Sequence, residues 1–234
     1  MSAYNGCVNC LKKRFSLLSD LSEKELTLLN SQRISQNYKK GETIYNFGEQ
    51  ANNLYCLSEG AVKICTEDEE GNSQIVAFKK NVDFIGFHEL MSEQAYNTTA
   101  TAIDEVSICS INRDDLQTVM RNNNDFSLKI IKSLANNLRA TEKRIVKLTS
   151  KQMQSRLAGA LLEIVEIYGY DLSDKKLINI QLKRKDLANF SNMTTANAIR
   201  TISSFVKQGI LATERRKIWI LDSEALSAIQ HEDH

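Results

Sequence analysis

The chain lacks proline altogether, has only three histidines among its 234 residues, and contains no long hydrophobic run. Without proline, its turns must be built from glycine, asparagine, aspartate and serine. No stretch reaches the roughly 18 consecutive apolar residues that a transmembrane helix needs, and the opening MSAYNGCVNC lacks the apolar core of a secretory signal. We therefore expect a cytoplasmic protein with no membrane partner.

The sequence also lacks the patterns by which common enzyme classes are detected. It contains no P-loop, no G-x-G-x-x-G motif and no paired nucleophile and base. The scarcity of histidine leaves few candidates for general acid-base catalysis. We expect that the chain is not an enzyme.

Charge is divided between the two halves of the chain, although the formal net charge is only +1. Residues 41–126 contain 15 acidic and 5 basic side chains, whereas residues 175–217 contain 10 basic side chains against Asp186 and Glu214. A basic segment of this kind is a candidate surface for a polyanion such as nucleic acid. The alternative is a solvated face without a partner.

A change of hydrophobic period predicts an α+β chain with two folded domains. A short first helix, capped by Ser19 or Asp20, is expected before β-rich runs such as NLYCLS, AVKICTE and VSICSIN, which alternate with turn motifs in the manner of a jelly roll. After Asp114 the apolar spacing becomes helical. The predicted segments are a lead with a cysteine pair (1–20), a β-rich domain (21–125), a long helix (126–150) and a mostly helical C-terminal domain (151–234).

An apolar seam runs along the predicted long helix. Its members are separated by alternating steps of 3 and 4 residues, and they are Ile131, Leu134, Leu138, Thr141, Ile145 and Leu148. The other faces carry polar residues such as Asn136, Arg139 and Lys143, so the seam is narrow, which favours a two-stranded coiled coil and hence a homodimer. The alternative is that the seam packs on the chain's own β-domain.

The segment LKRKDLANFSNMTTANAIRTISSFVKQGIL predicts a helix-turn-helix. Leu187, Ala188 and Phe190 have the spacing of one inner helix face, and Thr194 is placed to cap a second helix. The second helix presents donors on its outer side, and a basic tip follows between two short strands, as a wing that would contact phosphates. The predicted DNA-binding residues are Arg184, Thr194, Thr195, Asn197, Arg200, Arg215, Arg216 and Lys217. A plain helical bundle is the alternative.

Three segments in this order resemble the cyclic-AMP receptor and fumarate/nitrate-reduction regulator (CRP/FNR) family. YKKGETIYNFGEQANNLYCLSEGAVKI is similar to the family's β-roll signature, with Gly41, Gly48 and Gly60 at its turns. LANNLRATEKRIVKLTSKQMQSRLAGALLEI resembles its dimer helix and hinge, and KRKDLANF with IRTISSFVKQGIL resembles its winged helix. The resemblance implies a cyclic-nucleotide-binding-like jelly roll and a homodimeric transcription regulator that contacts RNA polymerase.

The resemblance further implies a pseudo-palindromic operator, read in two major-groove segments about 34 Å apart. Family members read bases with an arginine and a glutamate early in the recognition helix and with a second arginine one turn later. Thr195, Ala196 and Arg200 hold those places here, so only the last one matches. Arg184 is similar to the family's phosphate-contacting residue. The operator sequence of the best-known members should therefore not apply.

The sensor domain departs from the family at the cyclic-nucleotide site. Phe87 occupies the place of the glutamate that binds the ribose, and Thr98 occupies that of the arginine that binds the phosphate. Without that cation the phosphate loses its charge-assisted partner, so we do not expect cyclic AMP or cyclic GMP as the effector. The predicted effector pocket, whose ligand the sequence does not identify, consists of Gly86, Phe87, His88, Glu89, Thr98, Thr99, Thr141 and Glu142.

Cysteines leave two interpretations open. An odd number of five, with no export signal, argues against a disulfide framework. Cys7, Cys10 and Cys109 fall where the oxygen-sensing branch of the family has cluster ligands, which implies an iron-sulfur cluster, although Ser16 replaces a further cysteine. His88 could likewise hold a haem, and in either case cofactor binding would be the primary activity. Otherwise Cys109 and the remaining strand cysteines, Cys56 and Cys65, are small buried hydrophobic residues.

Overall fold

A computed structural model describes residues 17–67, 73–149 and 152–231. The chain divides into two compact units. The first ends at Glu67 and resumes over Lys79–Arg139, and the second comprises Asp68–Phe78 and Ala140–His234. Within the described residues, no helix is both long and apolar enough to cross a bilayer.

The first unit is built around two antiparallel four-stranded sheets, one ordered β1-β8-β3-β6 and the other β2-β7-β4-β5. The strands are β1 (Ile34–Tyr38), β2 (Thr43–Tyr45), β3 (Asn53–Glu59), β4 (Ala61–Glu67), β5 (Ser73–Lys80), β6 (Phe84–Ile85), β7 (Thr99–Ala102) and β8 (Val106–Asn112). Strand β5 begins in the second unit and ends in the first. Gly60 makes the turn from β3 to β4 with φ +86°, where a Cβ would stand 2.2 Å from the carbonyl oxygen of Glu105.

Helices cover the outer face of the first sheet. They are α1 (Glu23–Asn30), α2 (Phe87–Ser92), α3 (Arg113–Asn122) and the long α4 (Asn124–Thr149). Leu54 on β3 lies opposite Ile111 on β8, and both join one hydrophobic cluster with helical residues that include Leu26, Leu116 and Phe126. Because side chains alternate along a strand, every second residue of β3 and β8 faces this helical layer.

The first helix begins later than predicted. Its cap is Ser22, whose hydroxyl accepts from the Glu25 amide while the Glu25 carboxylate accepts from the Ser22 amide at 2.7 Å. This reciprocal capping box satisfies two backbone donors. The prediction of Ser19 or Asp20 as the cap was wrong, and Asp20 instead binds the Lys129 ammonium at 2.6 Å, a hydrogen bond that lowers its pKa.

The second unit contains the end of α4 and a compact helical core with a short hairpin. Its further elements are α5 (Met153–Tyr168), α6 (Arg184–Phe190), α7 (Thr195–Lys207), β9 (Leu211–Glu214), β10 (Lys217–Ile220) and α8 (Ser223–His231). Leu157, Leu187, Phe205 and Leu226 are fully buried and bring α5, α6, α7 and α8 into one core. The predicted α+β order of β-roll, long helix and winged helix-turn-helix is confirmed.

Arg144 on α4 fixes the position of α6 within the second unit. Its guanidinium lies 3.6 Å from the centroid of the Phe190 ring, donates to the Phe190 carbonyl oxygen at 2.8 Å, and pairs with the Glu163 carboxylate at 2.8 Å. Burial lowers the pKa of Arg144, and the Glu163 charge opposes that shift. The amide of Asn189 also hydrogen-bonds the backbone of Ser73 and Ile75, so α6 is held from two sides.

Candidate nucleic-acid interface

The helix-turn-helix consists of α6, a short turn and α7. Ala188 on α6 and Ala198 on α7 are both fully buried, and side chains this small allow two helices to cross closely. The buried hydroxyl of Ser191 donates to the Leu187 carbonyl oxygen at 2.8 Å, and Asn192 adopts a left-handed conformation with φ 51°. These features end α6 and turn the chain into α7 without proline.

The start of α7 is fixed by Thr194, the N-cap that the sequence predicts. Its hydroxyl oxygen accepts a hydrogen bond from the backbone amide of Asn197 at 3.2 Å. Thr201 lies one turn further on the inner side, where its hydroxyl donates to the Asn197 carbonyl oxygen at 2.9 Å. The side-chain oxygen of Thr194 therefore contributes to the helix itself, which leaves only its hydroxyl hydrogen for a ligand.

The outer face of α7 is open. Thr195, Ala196 and Arg200 are exposed and Asn197 is partly exposed, while the opposite face is buried through Phe205 and its neighbours. An amphipathic helix that buries one face and leaves short polar residues and an arginine on the other has the form required to enter a major groove about 12 Å wide.

The wing is the hairpin of β9 and β10. Its two-residue turn contains Arg215, at φ 51°, and Arg216, and Lys217 begins β10. All three basic side chains are exposed. From the inner side, the indole N–H of Trp219 donates to the Asp174 carboxylate at 2.6 Å, which lowers the pKa of Asp174 and anchors β10. The basic tip thus projects from a fixed hairpin.

Arg184 begins α6 and is half-buried. Its Nη1 is buried, and no described residue accepts a hydrogen bond from that atom. Burial lowers the pKa of its guanidinium, because the charged form loses contact with water. A charged donor without an acceptor is costly unless a ligand satisfies it, and a phosphate oxygen could do so.

One feature of this surface was not predicted from the sequence. A groove lies between the start of α5 and the second and third turns of α7, and it is lined by Gln152, Met153, Gln154, Arg200, Thr201 and Ser204. Gln152 is the N-cap of α5, and its side chain makes no capping hydrogen bond. The sequence QMQS, which follows the long helix, supplies the polar residues at the start of α5. Their position beside Arg200 is seen only in the folded structure.

The residues of the predicted dimer seam lie on α4, as expected, but they differ in how far they are exposed. Ile131, Leu138 and Ile145 are 58%, 62% and 57% exposed, although they are large apolar residues. Leu134 packs partly against the hydrophobic cluster of the first unit, so it belongs to the core more than to the seam. Thr141 is exposed and Leu148 is partly exposed.

The predicted effector residues of the first unit surround α2. Gly86 is the N-cap of α2 at φ +75°, where a Cβ would stand 3.0 Å from the Tyr96 ring. Phe87 packs in the hydrophobic cluster with Leu54 and Leu90, so its ring stabilises the helical layer. His88 is exposed, and Glu89 is buried at 7% exposure.

Tyrosines fill the space beside Thr98 and Thr99. The Tyr45 and Tyr96 rings stack with centroids 3.9 Å apart, and the Tyr45 hydroxyl lies 3.4 Å from the Thr98 hydroxyl. Burial raises the pKa of both tyrosines, so both are neutral. The Thr99 hydroxyl accepts from the Phe47 amide at 3.0 Å.

The remaining predicted effector residues lie on the long helix α4. Thr141 and Glu142 are both exposed on α4 in the second unit, and Thr141 makes at least one interaction there. Their part in an effector pocket stays a prediction.

The candidate metal ligands are only partly placed. Cys7 and Cys10 lie outside the described residues, whereas Cys109 lies on β8, where its Sγ accepts from the Arg33 guanidinium at 2.8 Å. In the described part of the chain, no group of three or more histidine, cysteine, aspartate or glutamate side chains is arranged to hold a metal. Cys56 faces Cys109 across the β3–β8 ladder, which the sequence could not reveal.

Comparisons with known proteins agree with this architecture. The family of the cyclic nucleotide-binding domain matches residues 35–123, and the Crp-like helix-turn-helix domain matches residues 155–229. The chain is 24% identical over 224 residues to the fumarate and nitrate reduction regulatory protein of Salmonella typhimurium, covering 95% of this chain and 89% of that protein. It is 25% identical to the regulatory protein HlyX of Actinobacillus pleuropneumoniae, covering 92% of this chain and 89% of that one.

A solved structure gives the same result. FixK2 from Bradyrhizobium japonicum superposes with a TM-score of 0.76 at 25% identity, covering 86% of this chain and 99% of that chain. The two curated relatives are regulatory proteins, so the expectation that the chain is not an enzyme is confirmed. The two family domains occur in the expected order, curated regulators match nearly the whole length of the chain, and a solved structure has the same fold. The chain therefore belongs to the CRP/FNR family of DNA-binding transcription regulators.

Proposed function

We propose that this chain binds a double-stranded DNA operator as a homodimer and regulates transcription there, with α7 as the reading helix. The observation that carries the proposal is the open face of α7, where Thr195 and Arg200 are exposed on a helix whose other face is fully packed. A rigid scaffold that presents unengaged donors holds them in place before DNA arrives, so little conformational entropy is lost on binding.

The basic residues divide into two roles. Arg200 is the residue we assign to base edges, together with Thr195 and Asn197, because they share the outer face of α7. Phosphate contacts are assigned to the half-buried guanidinium at the start of α6, to the wing tip and to the cap hydroxyl of α7, through Arg184, Arg215, Arg216, Lys217 and Thr194. Phosphate contacts fix orientation and carry no sequence information.

Dimerisation is assigned to α4. Three large apolar side chains at Ile131, Leu138 and Ile145 are more than half exposed on one face, and a second copy of the helix would remove them from water. Thr141 and Leu148 lie on the same face of α4, and Leu134 joins it only with its exposed part. Two recognition helices in one dimer would read two half-sites about 34 Å apart.

The β-roll is proposed as the sensor, with an effector that is neither cyclic AMP nor cyclic GMP. The surroundings of Gly86, Glu89 and Thr98 support this, since tyrosine rings adjoin Gly86 and Thr98, Glu89 is buried, and no predicted pocket residue is a lysine or an arginine. We further propose that the regulator acts in the cytoplasm, where it contacts RNA polymerase. The division into segments 1–20, 21–125, 126–150 and 151–234 stays part of the same proposal.

The test is a binding selection with the full-length protein, followed by anisotropy titrations on the recovered sequences. With four phosphate-contacting cations in each protomer, eight in the dimer, log Kd should depend on log salt with a slope of magnitude about 7. A recovered inverted repeat with half-sites one helical turn apart would support the proposal. Binding that shows no sequence preference over scrambled duplex, or no salt dependence, would overturn it.

Oligomeric state is tested separately. Leu138→Glu places a charge at the exposed centre of the proposed seam and should convert a dimer into a monomer in sedimentation equilibrium. Asn136→Glu, on another face of the same helix, is the matched control and should remain dimeric. A wild-type protein that sediments as a monomer at micromolar concentration would contradict the homodimer.

A further inference from the structure

We propose that Cys56 and Cys109 form a redox pair that is converted to a cross-strand disulfide by a low-molecular-weight disulfide such as glutathione disulfide. The two residues are register partners on the antiparallel strands β3 and β8. Neither takes part in a disulfide in this structure, and both are partly exposed. The inference concerns the first unit alone, so it does not depend on whether α7 reads DNA.

The strand register brings the two cysteines within bonding range. Residues directly opposite each other on antiparallel strands have Cα atoms about 4.5 to 5.5 Å apart, and their side chains point to the same face. A disulfide requires Cα atoms about 4.4 to 6.8 Å apart. Either kind of antiparallel pair therefore meets the Cα requirement. The Cβ atoms of such a pair are about 4.5 to 5.5 Å apart and a disulfide requires about 3.5 to 4.5 Å, so the bond needs a small approach of the two strands.

The surroundings of Cys109 favour reaction at its sulfur. The Arg33 guanidinium donates to Sγ at 2.8 Å and also donates to the Ser35 hydroxyl at 2.7 Å, while the Ser35 oxygen lies 3.7 Å from Sγ. Because both cysteines are partly exposed, a small disulfide has access to their sulfur atoms. Cys65, by contrast, is buried on β4 and faces Thr99 on β7.

The pair also lies next to a packed helical layer. Leu54 and Ile111 stand two residues along β3 and β8 from the cysteines and therefore share their face, and both belong to the cluster that seats α1, α3 and the start of α4. A covalent link at this point joins two strands that support the beginning of the long helix. Oxidation is thus placed where the sheet and the helices meet.

The chemistry balances in two exchange steps. The sulfur of Cys109 attacks glutathione disulfide, forming a mixed disulfide and releasing one glutathione. The sulfur of Cys56 then attacks the Cys109 sulfur of that mixed disulfide and displaces the second glutathione. Two electrons leave the protein, the two thiol protons end on the two glutathione molecules, and the product is one intramolecular disulfide.

Tryptic mapping of the full-length protein tests this. Reduced protein is incubated with glutathione disulfide, remaining thiols are alkylated, and the digest is analysed without reduction. Cleavage after lysine and arginine puts Cys56 in peptide 41–63, Cys109 in peptide 81–113 and Cys65 in peptide 64–79, so each thiol reports separately. We expect peptide 41–63 linked to peptide 81–113, and loss of that link when the incubation is done in urea and pairing becomes statistical.

Variants separate the two roles. Cys56→Ser should abolish the link and leave glutathione on Cys109, because nothing resolves the mixed disulfide, while Cys109→Ser should abolish both. Cys65→Ser is the matched control and should form the link as the wild type does. The proposal is overturned if Cys56 and Cys109 remain separately alkylated in the folded wild type, or if either links instead to the cysteines of peptide 1–12. The wild-type result decides even if a variant fails to fold.

Discussion

The winged helix and the β-roll of this chain use polar side chains in opposite ways. On α7, Thr195 and Arg200 point away from a fully buried inner face and make the surface available to a ligand. Around α2 in the β-roll, Glu89 is buried and Tyr96 stacks on Tyr45, so the polar and aromatic groups are committed to one another. The winged helix exposes the polar side chains that we assign to DNA binding, whereas the β-roll buries the glutamate and the tyrosine ring around α2.

This difference shows that two proteins can share a fold without sharing the residues of a ligand site. The match to the cyclic nucleotide-binding domain covers residues 35–123, yet Phe87 packs into the hydrophobic cluster and Thr98 lies beside a tyrosine hydroxyl. The fold matches that domain, whereas Phe87 and Thr98 occupy the two places where the family resemblance implies a glutamate and an arginine. Function therefore has to be argued from each site, and the two domains should respond differently to substitution.

The largest expected effect is at Tyr96. Tyr96→Ala removes a buried ring that stacks at 3.9 Å on Tyr45 and whose hydroxyl donates to the Asn53 carbonyl oxygen at 3.1 Å. The cavity and the unsatisfied carbonyl should lower the free energy of unfolding by about 3–5 kcal/mol. Urea unfolding followed by circular dichroism measures this loss.

Tyr38→Ala is the matched control, because this tyrosine is only partly buried on the edge strand β1. Its cost should stay below about 2 kcal/mol. Equal losses for the two variants would contradict the view that the tyrosine stack is part of the β-roll core.

The second effect is on DNA affinity and belongs to the winged helix. Arg200→Ala removes an exposed donor on α7 and should weaken operator binding by about 1–3 kcal/mol for each half-site, or roughly fivefold to 150-fold. The free energy of unfolding should change by no more than about 0.5 kcal/mol. Anisotropy titrations at fixed salt measure the affinity, and thermal unfolding measures the stability.

Arg121→Ala on α3 removes the same charge from an exposed position in the other unit and should leave affinity nearly unchanged. If both arginines weaken binding equally, the effect comes from net charge and α7 is not the reading helix.

How well each region could be predicted depends on the range of the interactions that define it. Thr194 was identified as a cap because a cap and the helix that follows are neighbours in sequence, and its hydroxyl accepts from the Asn197 amide. The same local reasoning chose Ser19 or Asp20 for α1, although Ser22 followed three residues later by Glu25 is the stronger capping-box signal.

Contacts between residues that are far apart in the sequence could not be predicted. Nothing in the spacing of residues 45 and 96 indicates that their rings stack, and nothing in residues 152–154 indicates that they adjoin Arg200. The Cys56–Cys109 register likewise follows from how β3 meets β8, which a one-residue slip would change for every side chain. Local signals therefore predicted the helix-turn-helix and its cap well and the interior of the β-roll poorly.

A smaller effect distinguishes two adjacent threonines. Thr194→Ala removes the cap of α7, together with one proposed phosphate contact, and should lower the free energy of unfolding by about 0.5–2 kcal/mol. Thr195→Ala should leave stability within about 0.5 kcal/mol and instead lower operator affinity, because its side chain is exposed on the reading face. Paired urea unfolding and anisotropy titrations on both variants measure the split. A loss of stability in the Thr195 variant matching that of the Thr194 variant would contradict this division of roles.

The smallest expected effect is that of cyclic nucleotides on the stability of the β-roll, which should be absent. A ligand at a concentration 100 times its Kd stabilises the folded protein by about 2.7 kcal/mol, which raises Tm by several degrees in a domain of this size. Millimolar cyclic AMP or cyclic GMP should not raise Tm beyond the change caused by linear 5′-AMP, because Phe87 and Thr98 supply neither the carboxylate nor the cation that the cyclic phosphate and ribose require. Differential scanning calorimetry over a range of nucleotide concentrations makes the comparison. A saturable rise with the cyclic nucleotide alone would mean that the tyrosine stack opens to admit it, and the contrast between an open winged-helix surface and a filled β-roll would then hold only for the unliganded protein.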